Sequence, residues 1–232
     1  MNNNKKKPLD FKKEYKQWYL PKNIPTLIDI PVINFVSVTG KGNPNDGNGE
    51  YQKAVGLLYA ISYTIKMSKK GNEVPDGYFD YVVPPLEGLW WVENGSDSQS
   101  KSEYNWTSMI RLPEFVNEKV FEWACREVAK KKKIETDKAV FFPFKEGLSV
   151  QCMHIGAFDD EPKTFAQMDA FLSKNHLIKD LKVSWHHHEI YLSDPKKVDI
   201  SKMKTVLRIP VKNQCITIES QLNHNRITTN HN

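Results

Sequence analysis

Residues 36–46, VSVTGKGNPND, and residues 150–160, VQCMHIGAFDD, carry one pattern at two places, offset by about 114 positions. Val36 matches Val150, Gly42 matches Gly156 and Asp46 matches Asp160. In each copy a strand-like run ends in a glycine turn, and polar residues then lead into a helix. Upstream of the first copy, TLIDIPVINFVSVT (26–39) is β-branched and reads as a strand. Downstream, EYQKAVGLLYAISYTIKM (50–67) repeats apolar positions at three and four, through Tyr51, Ala54, Val55, Leu58, Ile61, Ser62 and Ile65, as one buried helix face requires. GYFDYVVPP and EGLWWV follow as two extended stretches broken at Pro84 and Pro85, and read as a hairpin-like pair. The second copy has the same order. A strand in AVFFPFKEGLSVQCMHIG precedes the helix DDEPKTFAQMDAFLSKN, with Phe165, Met168 and Leu172 on one face, and the strands WHHHEIYLSD and KTVLRIPV come after it.

Each unit therefore reads strand, helix, strand, strand. Two such units, about 25–92 and 139–212, predict an α+β fold with pseudo-twofold symmetry and a ligand groove at the junction of the repeats. A helix after Pro113, with Val116, Val120, Phe121, Ala124 and Val128 on one stripe, links the halves. Residues 1–24 form a polar N-terminal segment, 25–212 the domain, and 213–232 a patternless tail expected to be flexible.

Composition narrows the function. With 232 residues, 39% of them hydrophobic, the chain can bury a real core. It has no apolar run long enough for a membrane span, and no apolar segment follows the basic MNNNKKKPLD, so a soluble, cytoplasmic protein is expected. Three widely spaced cysteines, Cys125, Cys152 and Cys215, suit reduced thiols. The net charge of +5 sits in lysine runs such as Lys130–Lys133, which serve a helix C-terminus without nucleic acid, and no nucleic-acid-binding motif is present. GKGNPNDGNG lacks the Lys-Ser or Lys-Thr ending of a phosphate loop and reads as a turn. No cofactor is implied.

Residues 185–194, WHHHEIYLSD, hold the most chemistry. On a strand, alternation puts Trp185, His187, Glu189 and Tyr191 on one side and His186, His188, Ile190 and Leu192 on the other, with Ile190 and Leu192 facing the helical core. The histidines are split between two faces, and no ligand spacing supports a metal. A strand glutamate is ordinarily a surface carboxylate. Six tryptophans include Trp90, Trp91 and Trp106, and because neighbours on a strand point opposite ways, at least one of the Trp90–Trp91 pair packs the core while the other can wall a groove. Tyr63, Tyr81, Met109 and Phe158 are weaker groove candidates, for each of which core packing is the leading role.

Long stretches in order, KGNPND, SYTIKMSKKG, YFDYVVPPLEGLWWV, NWTSMIRLPEFV, MHIGAFDDEP and HHEIYLSDP, make residues 10–212 resemble the stand-alone GyrI-like small-molecule-binding proteins of bacteria. The resemblance implies a fold shared with the effector-binding domains of multidrug-responsive activators and with the gyrase inhibitor protein. It also implies an apolar groove that takes flat, hydrophobic, often cationic compounds around a buried glutamate, here Glu189. Some members of this longer type hydrolyse the cyclopropane ring of DNA-alkylating natural products, which makes Glu189 the expected general base with Tyr191 beside it; Trp90, Trp91, Trp106, Tyr63, Tyr81, Met109, Phe158, Trp185 and His187 are the candidate ligand contacts. The alternative is a non-enzymatic drug-binding or sequestering module. Nothing here resembles the DNA-binding arm of the activators. The expected partner is a hydrophobic or cationic aromatic small molecule.

Overall fold

The computed structural model describes residues 7–71, 73–92, 101–180 and 187–214. Strands β1 (Thr26–Lys41) and β4 (Val140–Ile155) are both 16 residues long and begin and end at the same offset as the sequence repeat. The remaining strands are β2 (Leu86–Trp91), β3 (Asn105–Arg111), β5 (Leu177–Lys179), β6 (His187–Tyr191) and β7 (Lys204–Asn213). All pair antiparallel in the order β4-β1-β3-β2-β6-β7-β5, and β4 also pairs with β7. Six strands thus close into a ring, which hides edges that would otherwise invite further pairing. The path β1-β3-β2 in one half mirrors β4-β7-β6 in the other, as the repeat predicts.

The register sorts side chains onto two faces. On one face Val36 and Val38 of β1, Trp106 and Ile110 of β3 and Trp90 of β2 pack under α3 (Glu50–Met67), which is covered in turn by α4 (Glu118–Lys132) through Phe121, Ala124 and Val128. In the second half Val150, Cys152, Leu207 and Ile209 pack on the same face under α5 (Glu161–Lys174). The start of α4 is fixed by Asn117, whose side chain accepts from the Val120 N–H at 3.1 Å. Among the described residues no helix is long and apolar enough to cross a membrane.

The opposite face looks into the ring. The expected hairpin of GYFDYVVPP with EGLWWV does not form: the partner of β2 is β3, and the stretch before Pro84 runs irregularly. Two prolines without an N–H cannot complete a ladder. Tyr81 instead bridges Leu9, with Leu9 N–H donating to Asp80 O at 2.8 Å and Val82 N–H to Leu9 O at 2.7 Å. Two short helices, α1 (Phe11–Glu14) and α2 (Lys16–Tyr19), then bury Phe11 and Tyr19 almost completely. Ile190 belongs to this cluster with Leu192 beside it, so these two residues meet the N-terminal segment and not the long helices, contrary to the strand reading. The parity was right, but the helices cover the other side.

Inside the ring lies a buried polar network. Arg208 Nη1 donates to Glu146 Oε2 at 2.8 Å, its Nε to Gln151 Oε1 at 3.3 Å, and its Nη2 to the Trp18 carbonyl. His188 Nδ1 meets Glu146 Oε1 at 3.0 Å, and its Nε2 lies 3.0 Å from Glu87 Oε2. The Tyr19 hydroxyl reaches Glu87 Oε1 at 3.3 Å. Arg111 stacks its guanidinium 4.4 Å from both the Phe11 and Tyr15 ring centres and pairs with Glu114 at 2.8 Å. Burial alone would raise the Glu146 carboxyl, but the charges of His188 and Arg208 outweigh it and hold the group at about 2. For His188 burial would lower the imidazole, yet Glu146 and Glu87 lift it to about 9, so it stands as a second cation beside Arg208 against the Glu146 carboxylate.

Candidate functional site

Strands β2 and β6 meet at the centre of the sheet, with Gly88 opposite Glu189 and Trp90 opposite His187. These residues point toward the helical face, into the space where the N-terminal ends of α3 and α5 approach the sheet. His187 Nε2 lies 2.8 Å from Glu189 Oε1, and Glu189 is only 8% exposed. The Trp90 Nε1–H donates to the Tyr191 hydroxyl at 2.9 Å. That bond depends on Gly88, because a Cβ there would stand 2.7 Å from Trp90 Nε1 and 3.2 Å from the Tyr191 oxygen. Replacing Gly88 by Ala should displace the indole and cost about 1–3 kcal/mol by overpacking. Unfolding in denaturant with tryptophan fluorescence checks this, and an unchanged midpoint and spectrum would contradict it.

Aromatic rings surround the carboxylate. Phe158, in the 3-10 turn before α5, stands edge-on to Tyr191 at 5.9 Å, and Phe165 of α5 edge-on to His187 at 5.0 Å. Tyr51 of α3 lies 5.6 Å from Trp90 and meets Trp106 edge-on at 5.2 Å. Burial lifts the Tyr51 hydroxyl to about 12, and the Tyr191 hydroxyl is raised well above its ordinary value, first by burial and then by the charge of Glu189. Both phenols are neutral donors at physiological pH.

Glu161, the first residue of α5, completes the cluster. It is 7% exposed and its Oε1 has no hydrogen-bond partner among the described residues. Burial first, then the charges of Glu189 and Asp159, push its carboxyl up to about 9, so it stays protonated at neutral pH. The turn that presents it is held by His154, whose two ring nitrogens lie 2.8 Å from Thr164 Oγ1 and from the Ala157 carbonyl. A neutral acid therefore sits in the electrostatic reach of an acceptor carboxylate, an arrangement suited to moving a proton in two directions.

Of the sequence candidates, Glu189, Tyr191, His187, Trp90 and Phe158 come together here, with Trp106 as a fully buried support beneath Tyr51. Trp91 and Met109 lie on the other face with Phe35 and Leu89, where strand alternation sends them. Tyr81 is buried against the N-terminal helices, and Tyr63 stands on the outer side of α3, 47% exposed. Trp185 falls outside the described residues. In the sequence Tyr51 and Phe165 read only as helix-face packing residues, and Glu161 is not singled out. An acid in the first turn of a helix reads as an exposed partner for the helix dipole, so the sequence does not reveal the burial of Glu161.

Comparison with known proteins agrees with this architecture. Residues 25–212 match the family described as the GyrI-like small molecule binding domain. An uncharacterised conserved protein from Listeria innocua is 49% identical, with a TM-score of 0.83 over 88% of this chain and 100% of its own. A Listeria innocua protein described as a hydrolase is 48% identical, with a TM-score of 0.80 over the same shares. The regulator EcmrR, in its complex with DNA, shares the fold at 12% identity and a TM-score of 0.50, over 88% of this chain and 62% of the regulator. No curated protein matches significantly. The match over residues 25–212, on a sheet that carries the two repeats and a buried glutamate at their junction, makes this chain a member of the GyrI-like small-molecule-binding family.

Proposed function

We propose that the protein hydrolyses electrophilic, cyclopropane-containing aromatic compounds, with Glu189 as general base and Glu161 as general acid. The observation that carries the reading is the pair of buried carboxyl groups among aromatic rings, one bonded to His187 and the other kept protonated. A flat hydrophobic ligand would stack on Trp90, Phe158 and Tyr51, and a cationic one would also gain from the ring faces. Glu189 would take a proton from water as the water oxygen bonds to a ring carbon. The carbon–carbon bond that breaks leaves its electron pair on the substrate's conjugated acceptor, and the balancing proton comes from Glu161. Tyr191, held by Trp90, would orient the water or the acceptor. The 48%-identical Listeria protein described as a hydrolase supports a hydrolytic reading.

The test is incubation with a cyclopropane-bearing alkylator, following the water-added, ring-opened product by mass spectrometry for the native protein and for Glu189→Gln. Product from the native protein, reduced in the variant, supports the reading. Tight binding with no product would leave only a ligand-binding module that sequesters such compounds, and turnover unchanged in Glu189→Gln would remove the general base.

A further inference from the structure

Helices α3 and α4 each carry a second stripe at the edge of the core, where Trp123 packs partly against it. Their inner stripes meet beneath the surface, whereas Tyr63 and Met67 on α3 face Trp123, Glu127 and Lys130 on α4 across an open cleft of about 490 Å³. The positions recur at three and four on both helices, so each presents one continuous face. The cleft is far from Glu189: Met67 is 16 residues beyond Tyr51 on α3, or about 24 Å at 1.5 Å per residue.

Three features describe what would fill it. The volume is that of a small-molecule site. The walls offer apolar and aromatic surface that stays open to solvent, Tyr63 being 47% and Met67 40% exposed. The polar groups are two buried donors under a mostly cationic rim: the Ser68 hydroxyl and the Trp123 indole N–H are buried and have no partner among the described residues, and Lys130, Lys131 and Lys132 line the rim with Glu73 and Glu127. An indole N–H can only donate, so its partner must be an acceptor. Glu127 is already paired with Lys131, which leaves two lysines against Glu73. The carbonyl ends of both helices would repel an anion, and the lysines in the last turn of α4 offset them.

We propose that this cleft is a second ligand site, for a planar aromatic monoanion such as an aryl carboxylate. The ring lies between Tyr63, Met67 and Trp123, and the carboxylate accepts from the Trp123 indole and the Ser68 hydroxyl under the lysines. Its charge preference is opposite to that of the acidic Glu189 cluster, and the proposal stands independently of any reaction there.

The test is a titration with 2-naphthoate followed by NMR of the ¹⁵N-labelled indole groups, with the Trp123 signal assigned from Trp123→Phe. The Trp123 N–H signal should move saturably downfield. Lys130→Glu combined with Lys132→Glu should weaken binding by about tenfold or more, as should replacing the probe by neutral 2-naphthylmethanol, while Glu189→Gln should leave the affinity unchanged. A Trp123 signal that stays fixed while those of Trp90 and Trp106 shift would overturn the proposal. So would equal affinity for the acid and the alcohol.

Discussion

Glu189→Gln and Glu161→Gln should each lower turnover of a cyclopropane substrate by about 10²- to 10⁴-fold, the range that a positioned acid or base supplies. The two losses should differ in their dependence on pH. The Glu161 carboxyl titrates at about 9, so the native rate should fall as pH rises through that value and the acid is lost. Glu161→Gln has no proton to lose, so its residual rate should show no such fall, whereas in Glu189→Gln the fall should persist but move to lower pH, because the charge of Glu189 helps to raise the Glu161 carboxyl. Stability separates catalysis from misfolding. A carboxyl raised from 4.5 in the unfolded chain to about 9 in the fold destabilises the protein increasingly as pH rises above 4.5. Glu161→Gln removes that penalty, and its melting temperature at pH 7 to 8 should exceed the native one, by about 2–4 °C for each kcal/mol recovered. A variant that is both less stable and less active would contradict the assignment of Glu161 as a buried neutral acid.

Arg208→Met should destabilise the fold by about 3–5 kcal/mol, because it leaves Glu146 buried with one of its two cations gone. It also releases the Trp18 carbonyl and Gln151, so the N-terminal segment loses an anchor to the sheet. Chemical denaturation monitored at a single pH measures the loss. The native protein should show a defined pH window as well. His188 has a folded value of about 9, above its ordinary 6.5, so its contribution is complete below 6.5 and disappears as pH rises through 9. Glu146, held at about 2 and below its ordinary 4.5, contributes fully above 4.5 and loses that contribution as pH falls through 2. Together they favour the fold most between about pH 4.5 and 6.5. A melting temperature that rises steadily from pH 6.5 to 9 would count against the charged network.

Much of the fold was legible because it is local. The helix read over 50–67 has those bounds in the structure, and β1 and β4 repeat the offset between VSVTGKGNPND and VQCMHIGAFDD. Helical and strand periodicities depend on neighbours a few residues away, which a sequence displays directly. Strand parity likewise placed Glu189 and Tyr191 on one face and His188 and Ile190 on the other. GYFDYVVPP misled because its extended, aromatic character was real while its partner was Leu9, about seventy residues earlier in the chain.

The candidate site was legible only in part, since half of it comes from β6 and β2 and half from the first turns of α3 and α5. Nothing local marks Glu161 as buried or Tyr51 as a neighbour of Trp90 and Tyr191. The sequence by itself determined the two repeats, the helix faces and the parity of the strand bearing Glu189. Only the tertiary structure decided which face of that strand the long helices cover, that β4 closes the ring onto β7, and that His188 is locked between Glu87 and Glu146. The physical reason is the same in each case. Periodicity reports which residues share a face, but burial and the charge a buried group carries are set by chains that arrive from far along the sequence.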